Sequence, residues 1–435
     1  MSTLVNNQSN KKKISTGWLI VIACMLIQAI PFGVASNIQP LFIHPVTSDR
    51  GFSLTSFSLI FSIGTIVSAV VGPFIGMSFQ KINAKLIFTV GAVLSGGGFL
   101  MFSMCTELWQ FYTVAAIVQV GTAAISGIGV PLLISSWFDE ESKGKAMGLA
   151  FAGGSIGNIF LQQLAMQSLA SQGYSQSYFI FGVLSLAVGI PIALLFIKMP
   201  KDASQIVRSK NNKEKNSEDK NSEFGYTLKE VKNIKYFWMI ALGFTFVGIY
   251  VSAYSIQHAA YFQGFLKFDA ITVGTIGSIF AVCSLGGNII GGVLFDKLGV
   301  IKCLILSSVL VFISGVFLQM SGQSPIFAYI FSALKGFAVY TYMMGPAYLT
   351  GSLFGNKEYG SILGIVQLLF AVGFSSGSAL FGVFVDKFGY NTSWMIILGA
   401  VAIGYTLLIV ASIGMTKLNK ETANSTDNNE IKEVA

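Results

Sequence analysis

The chain has 435 residues, of which 53% are hydrophobic and only 11% are charged, and its mean hydropathy is +0.69. This composition excludes an ordinary soluble protein and is typical of a protein that crosses a membrane several times. The net charge of +8 does not indicate a nucleic-acid partner, because most charged residues lie in a few polar segments between apolar runs.

Apolar runs of about 20 residues, each long enough to cross a bilayer as a helix, occur twelve times along the chain. A hydrophilic stretch separates the first six runs from the last six. We therefore predict an all-α membrane protein with twelve transmembrane helices in two six-helix bundles, residues 18–198 and 236–415. The predicted helices cover residues 18–42, 57–79, 86–105, 110–137, 145–168, 178–198, 236–262, 270–295, 302–321, 326–353, 360–385 and 392–415.

Polar segments flank and separate the two bundles, as an N-terminal tail at 1–17, a linker at 199–235 and a C-terminal tail at 416–435. Most Lys and Arg residues lie in these segments and in every second loop, whereas the other loops hold only Arg50, Lys267 and Lys387. Because Lys and Arg are concentrated in cytoplasmic segments of membrane proteins, this pattern predicts a multi-pass protein of the cell membrane with both termini in the cytoplasm.

The two halves of the sequence repeat. At one constant offset Gly76 matches Gly292, Lys81 matches Lys297, and Gly144 matches Gly360. A parallel repeat of two six-helix units implies a binding site between the halves near the middle of the membrane, with alternating access by rocking of one half against the other.

A pattern of glycine and charge follows the eighth run, in the stretch GGVLFDKLGVIK. It resembles the loop signature of the major facilitator superfamily in the residues Gly292, Asp296, Lys297, Gly299 and Lys302. The N-terminal copy keeps Gly76 and Lys81 but has Gln80 in place of the acid. The resemblance implies two pseudo-symmetric bundles in the major facilitator fold and a cytoplasmic gate motif at these residues.

A second stretch, WFDEESKGKAMGLAFAGGSIGN at 137–158, is similar to the bacterial oxalate/formate antiporters and monocarboxylate porters of that superfamily. This resemblance implies an organic-anion substrate. Oxalate exchange in that group relies on cationic residues in the eighth and eleventh helices, and residues 270–295 and 360–385 contain no charge here. A dicarboxylate substrate is therefore less expected than a monocarboxylate.

Lys335 is the charge that lies deepest in an apolar run. It stands about ten residues, or roughly 15 Å, from either edge of the tenth run. A charge at such depth costs about 3 kcal/mol on insertion scales, and no acidic residue lies deep in any run to pair with it. An ammonium facing a cavity is suited to an anionic ligand, although a structural role in helix packing is the alternative.

Other polar residues in the runs are candidates for the same site. Tyr254, Gln257 and His258 recur at helical spacing in the seventh run and give one face that is both aromatic and polar; an interfacial aromatic belt is the alternative. Amides and tyrosines buried in lipid either bond between helices or line a cavity, and the further candidates are Asn37, Gln162 and Tyr342. With no embedded acid, a coupled proton could be carried by His258, Lys335 or the substrate.

These observations predict a secondary transporter of small organic anions, with monocarboxylates foremost, that acts as an anion exchanger or a proton symporter. A carrier for drugs or neutral solutes and a non-transporting sensor with a carrier fold remain as alternatives. Neither a nucleophile with its base nor a metal site is evident, so we expect no enzyme, no catalytic residue and no cofactor. The expected partners are the organic anion, protons and the lipid bilayer, and we expect a monomer.

Overall fold

The computed structural model describes residues 16–200, 207, 225–355 and 357–434. Most of the predicted N-terminal tail and the central part of the predicted linker lie outside these residues. The described part of the chain is helical and contains no β-strand, which confirms the predicted all-α class.

Nine apolar helical stretches in the described ranges are long enough to cross a membrane. Three of them each contain one glycine in a non-helical conformation, where one helix ends and the next begins. Gly173, Gly299 and Gly389 have φ of 76°, 75° and 75° and ψ of 174°, 168° and 170°. This region of backbone conformation is open almost only to glycine. Dividing the stretches there gives twelve helices, consistent with the twelve apolar runs.

We number these membrane helices in chain order. They are α1 (Thr16–Arg50), α2 (Leu54–Lys81), α3 (Ala84–Phe102), α4 (Leu108–Trp137), α5 (140–172), α6 (174–195), α7 (Lys235–Phe265), α8 (270–298), α9 (300–320), α10 (325–354), α11 (359–388) and α12 (390–434). A five-residue helix, Leu228–Lys232, precedes α7 within the predicted linker. Helix α12 continues to Val434, through most of the segment predicted as a C-terminal tail.

Helix starts follow local sequence. Short polar side chains at the N-cap accept a backbone N–H from the first turn, which supplies a partner for a group that has none within the helix. The residues that do this for α2, α3, α8 and α10 are Ser53, Asn83, Asp269 and Ser324. At Asp269, in the loop before α8, the hydrogen bonds from Thr272 lower the pKa of the carboxyl below its usual value.

Within each half, a glycine brings the same pair of helices, the first and the fifth, into backbone contact. In the N-terminal half, a Cβ on Gly157 of α5 would lie 2.2 Å from the carbonyl oxygen of Ala29 in α1. In the C-terminal half, a Cβ on Gly373 of α11 would lie 1.9 Å from the carbonyl oxygen of Thr245 in α7. Only glycine permits such approach, and small residues serve this purpose in lipid, where apolar burial does not drive helices together. The repeat read from the sequence is therefore also a repeat of packing.

The first helix of each three-helix unit is irregular. Helix α1 contains the π-helical segment Gln28–Asn37, α4 contains Ala123–Gly127, and α7 contains Ala253–Gln257 and Tyr261–Phe265. Helix α10 is interrupted after Phe337, before the short segment Tyr340–Met343. Irregular backbone at membrane depth is tolerated where it is buried in protein or lines a cavity, so α1, α4, α7 and α10 are the helices expected around a central site.

The two halves contact each other from the middle of the membrane to the predicted outer side, which carries the loops after the odd-numbered helices. Ser62 of α2 donates to the carbonyl of Ser375 in α11, and Ser278 of α8 donates to the carbonyl of Ile159 in α5 at 2.6 Å. Gln263 of α7 likewise donates to the carbonyl of Leu41 in α1, toward the outer side. These bonds join the halves at the centre and the outer side.

Candidate functional site

Lys335 lies inside the C-terminal bundle and not in lipid. Its side chain is 6% exposed, and its ammonium donates a hydrogen bond of 2.8 Å to the backbone carbonyl of Tyr254 in α7. Among the described side chains, no carboxylate lies within 4 Å of the ammonium. The lysine therefore has a backbone dipole as its partner, and the described residues supply no counter-ion.

The carbonyl of Tyr254 can accept this bond because it lies in the π-helical segment Ala253–Gln257. A π-helical turn contains one residue more than an α-helical turn, so its carbonyls are displaced from the regular ladder and can accept from outside the helix. The irregular segment of α7 thus supplies the hydrogen-bond acceptor for the charge on α10.

Aromatic rings cover two further sides of the ammonium. The Nζ atom lies 4.5 Å from the ring centroid of Phe280 in α8 and 5.7 Å from that of Phe331, one turn earlier in α10. Such cation–π contacts contribute about 0.5–2 kcal/mol each, depending on desolvation. They offset part of the cost of burying the charge, but they leave it positive.

Tyr254 contacts Lys335 through its backbone carbonyl, whereas its ring points elsewhere. The ring packs within the C-terminal bundle, 5.5 Å from that of Phe331 and 5.6 Å from that of Trp394. Its hydroxyl lies against Gly315 of α9 and has no hydrogen-bond partner among the described residues. Tyr342 lies further along α10, toward its predicted cytoplasmic end, and is half-buried. Its ring stacks parallel to that of Phe370 in α11, with the ring centroids 6.4 Å apart.

His258 follows Tyr254 by about one helical turn and is half-buried. Its ring lies 6.1 Å from that of Phe262, and its Nδ1 atom has no hydrogen-bond partner in the described chain. The carbonyl that accepts the bond from Lys335 belongs to Tyr254, four residues earlier in α7. We refer to Lys335, His258 and the Tyr254 carbonyl as the Lys335 cluster.

Gln257 is placed differently from its neighbours. Its side chain is fully buried, and its Nε2 atom donates to the hydroxyl of Ser58 in α2 at 2.7 Å and to the hydroxyl of Ser378 in α11 at 2.8 Å. These helices belong to opposite halves. The amide thus bridges the halves on the outer side of the Lys335 cluster.

Asn37 and Gln162 form a second polar cluster, in the N-terminal half. The Nε2 atom of Gln162 donates to the carbonyl of Asn37 at 2.9 Å and to Oδ1 of Asn158 at 3.0 Å. Its Oε1 atom has no partner among the described groups and lies against Gly277 of α8. Since Phe280 stands one turn further along α8, this helix lies between the two clusters.

The cytoplasmic gate motif lies at the turn between α8 and α9. Gly299 is the glycine at positive φ, which explains why the motif has glycine at that position. Asp296 accepts a hydrogen bond of 3.3 Å from the hydroxyl of Tyr348 in α10, within the same half. The remaining motif residues are partly or fully exposed at the predicted cytoplasmic side: Gly76, Lys81, Gly292, Lys297 and Lys302.

Sequence reasoning did not single out three residues of these clusters. Phe280 is one of 37 phenylalanines, and Ser58 and Ser378 are serines in apolar helices, so none of them carries a distinguishing signal. A groove of about 690 Å³ between α5 and α8 is a separate feature. It faces outward and is lined mainly by apolar side chains such as Phe160, Leu164 and Val282, which suits contact with lipid.

Comparison with known proteins decides the family. The family model of the Major Facilitator Superfamily matches residues 21–269 and 255–433. The chain belongs to the Major Facilitator Superfamily. Its members are multi-pass membrane transporters of small molecules and are generally not enzymes, and the chain is accordingly a major facilitator transporter.

Curated relatives are distant but extend over most of the chain. The MFS-type transporter pytF of Aspergillus terreus is 25% identical over 295 residues, which cover 65% of this chain and 90% of that protein. The uncharacterized MFS-type transporter YhjX of Escherichia coli is 24% identical over 370 residues, which cover 82% and 86%. The membrane sensor protein UhpC of Escherichia coli is 21% identical over 391 residues, which cover 83% of each protein.

Solved major facilitator structures share the fold. A bacterial homolog of the human lysosomal transporter Spinster, in an inward-facing and unoccupied conformation, aligns with a TM-score of 0.73 at 13% identity and covers 93% of this chain and 98% of its own. The nucleoside transporter NupG aligns with a TM-score of 0.71 at 13% identity and covers 90% and 99%. Identities this low support the fold and carry no information on the substrate.

Proposed function

We propose that this transporter carries small organic anions, with monocarboxylates foremost, across the cell membrane by alternating access. It acts as an anion exchanger or a proton symporter, as in the oxalate/formate antiporter and monocarboxylate porter group that residues 137–158 resemble. Both termini lie in the cytoplasm and the working unit is a monomer. Lys335 binds the carboxylate, and the polar groups of α1, α5, α7 and α10 hold the rest of the substrate.

The observation that carries this proposal is the buried ammonium of Lys335, which has no carboxylate beside it within the part of the chain that the structure describes. A hydrogen bond to a charged group contributes about 1.5–3 kcal/mol and a cation–π contact about 0.5–2 kcal/mol. Together these are similar to the insertion cost of about 3 kcal/mol, so the lysine is tolerated without a ligand. Its charge is nevertheless not neutralised, and one fixed cation matches one substrate carboxylate.

The neighbouring groups suit the rest of such a molecule. Phe280 offers an apolar surface beside the ammonium, and the unpaired Oε1 atom of Gln162 offers an acceptor on the other side of α8. Asn37, His258 and Tyr342 are the further substrate contacts in this proposal. Aromatic and aliphatic acids with a single carboxylate fit this combination better than dicarboxylates, which would require a second cation.

Transport by purified protein in lipid vesicles tests the proposal. We expect saturable uptake of radiolabelled pyruvate, lactate or benzoate, with a loss of at least about 100-fold in Lys335→Ala and partial activity in Lys335→Arg, because only the latter keeps the charge. Lys387→Ala, which removes an exposed lysine at the outer end of α11, is the matched control and should transport normally.

Thermal stability of the same variants separates binding from folding. A ligand at 100 times its Kd stabilises the native state by about 2.7 kcal/mol, so these carboxylates should raise the Tm of the parent and not that of Lys335→Ala. Carboxylate uptake at the parental rate by a correctly folded Lys335→Ala protein would disprove the proposal. Lys335 would then have only a structural role, as the hydrogen bond between α10 and α7, in a carrier of drugs or neutral solutes.

A sensor role is the second candidate, because one relative over 83% of the chain is named the membrane sensor protein UhpC. A sensor would bind the anion through the same ammonium without moving it. Carboxylate-dependent stabilisation in the absence of any uptake or exchange would favour this alternative over the carrier.

A further inference from the structure

The hydrogen bonds that join the two halves in the described part of the chain connect mostly uncharged groups. Apart from the bond between Thr55 and Asp386, these bonds use serine hydroxyls, amides, carbonyls and one methionine sulfur. A neutral hydrogen bond contributes only about 0.5–1.5 kcal/mol net, because water replaces the lost partner when the contact opens. We call this set of bonds on the outer side the outer gate. Because each bond is weak, the outer gate can open and close repeatedly.

Gln257 is the centre of this outer gate. It is the described residue whose one amide nitrogen bonds to both α2 and α11, through Ser58 and Ser378, and it is excluded from solvent. Ser252, which precedes the π-helical segment, accepts a hydrogen bond of 3.0 Å from the backbone N–H of Ser378. The irregular segment of α7 is therefore fixed to α11 at both of its ends, and to the opposite half through Ser58.

The same five-residue segment also holds the bond from Lys335. The carbonyl of Tyr254 accepts the ammonium, and Gln257 stands three residues later in the same π-helical turn. Such π-helical turns are rare, short interruptions of an α-helix that occur frequently at functional sites, and here both bonds act on one such turn. The lysine and the gate amide are thus connected through one short piece of backbone.

We propose that Gln257 is the latch of the outer gate and that Lys335 controls it through the π-helical turn Ala253–Gln257. The control by substrate rests on the proposed anion site. An anion on Lys335 draws the ammonium away from the Tyr254 carbonyl, the turn relaxes, and the bonds of Gln257 to Ser58 and Ser378 weaken. Arrival of the substrate is in this way coupled to separation of the outer ends of the two halves.

Distances between spin labels on the full-length protein in lipid nanodiscs test the latch without any substrate. Labels at Thr106→Cys and Gln323→Cys, both exposed in outer loops of opposite halves, report the outer opening. Labels at Lys85→Cys and Lys302→Cys report the cytoplasmic side. The four native cysteines, Cys24, Cys105, Cys283 and Cys303, are replaced by serine for this purpose.

In Gln257→Leu, which keeps the approximate volume of the side chain, and in Ser58→Ala we expect the ratio of outer-open to outer-closed molecules to rise by similar factors of about three- to tenfold, because each change removes the one hydrogen bond of this amide that crosses between the halves. Gln167→Leu makes the same chemical change at an exposed site in α5 and should leave the ratio unchanged. Parental distances in both Gln257→Leu and Ser58→Ala would overturn the latch.

Lys335→Met tests the connection, because methionine has a similar length and removes the donor to the Tyr254 carbonyl. We expect it to raise the outer-open fraction, and we expect the double variant Lys335→Met/Gln257→Leu to open no further than the more open single variant. Independent effects that multiply in the double variant, or an unchanged outer distance in Lys335→Met, would overturn control by the lysine. Failure of carboxylate uptake would be seen separately in vesicles and would not affect these distances.

Discussion

At the level of single residues, the described membrane helices contain two titratable groups placed for ion chemistry, Lys335 and His258. Every acid with a described side chain lies in a loop, near a helix end or, for Glu421, in the part of α12 beyond the predicted membrane helix, so none of these carboxylates lies deep in the membrane to carry a proton. For the proposed symport, we infer that His258 carries the proton while Lys335 stays charged to bind the anion; the substrate itself is the alternative carrier.

We therefore expect His258→Gln to uncouple transport from the proton gradient. In vesicles, uptake driven by an imposed pH gradient should fall to the rate seen without a gradient, whereas exchange against preloaded substrate should stay within about twofold of the parent. His44→Gln changes the other of the two histidines, at the outer end of α1, and serves as the control. A gradient response that persists in His258→Gln would assign the proton to the substrate.

The contrast between Lys335 and Gln257 shows how far sequence reasoning reaches at this level. The depth of Lys335 and the lack of an embedded acid follow directly from hydropathy, and the structure does bury this lysine without a counter-ion in its described part. Gln257 lies in a similar apolar run, but its partners are 199 and 121 residues away along the chain. Nothing in the local pattern tells an amide that faces a ligand from one that bridges two helices.

At the level of helices, regular segments can be predicted from local sequence, whereas most irregular segments depend on contacts with distant residues. Apolar runs predicted the membrane helices because length and hydropathy are local properties. The π-helical segments of α1, α4 and α7 were not predicted, since an inserted residue is stabilised by tertiary contacts such as the bond from Lys335. The joints between α5 and α6, α8 and α9, and α11 and α12 depend instead on a property of the residue itself, the freedom of glycine to adopt positive φ.

This difference predicts opposite effects for two glycine-to-alanine changes. Gly299→Ala forces a side chain into a backbone region that costs about 1–3 kcal/mol, so the apparent Tm of the purified protein should fall. Gly148→Ala lies within α5, where no atom is within 4 Å of the added Cβ, and should leave the Tm unchanged or raise it by the equivalent of up to about 1 kcal/mol.

Circular dichroism melting in one detergent compares the two variants directly. Equal Tm values for Gly299→Ala and Gly148→Ala would mean that the joint between α8 and α9 accommodates a side chain, and that positive φ is not what requires glycine in the gate motif. Gly389→Ala, at an equivalent joint outside that motif, should repeat the loss seen for Gly299→Ala.

At the level of the whole molecule, the arrangement of contacts defines one end state of a rocking cycle. Cross-half bonds of the described chain extend from the membrane centre, between Ser155 and Ser284, to the outer rim, between Thr55 and Asp386. Transport by alternating access requires those at the outer rim to break, since that side must open while the other closes. The bonds at the centre can persist as the halves pivot about them.

A reversible cross-link between the two halves at the outer rim tests whether these contacts must break during transport. The Thr55 hydroxyl and the Asp386 carboxylate are 2.5 Å apart, and a Cβ on the adjacent Gly382 would meet the backbone of Thr55, so the two helices approach closely there. Thr55→Cys/Asp386→Cys, in a background without the native cysteines, should therefore form a disulfide on oxidation.

We expect oxidation to reduce transport at least about tenfold and a reducing agent to restore it, because the bond holds the outer ends together. Thr55→Cys alone should not respond to the oxidant, and undiminished transport after complete cross-linking would show that substrate passes without separation of α2 from α11.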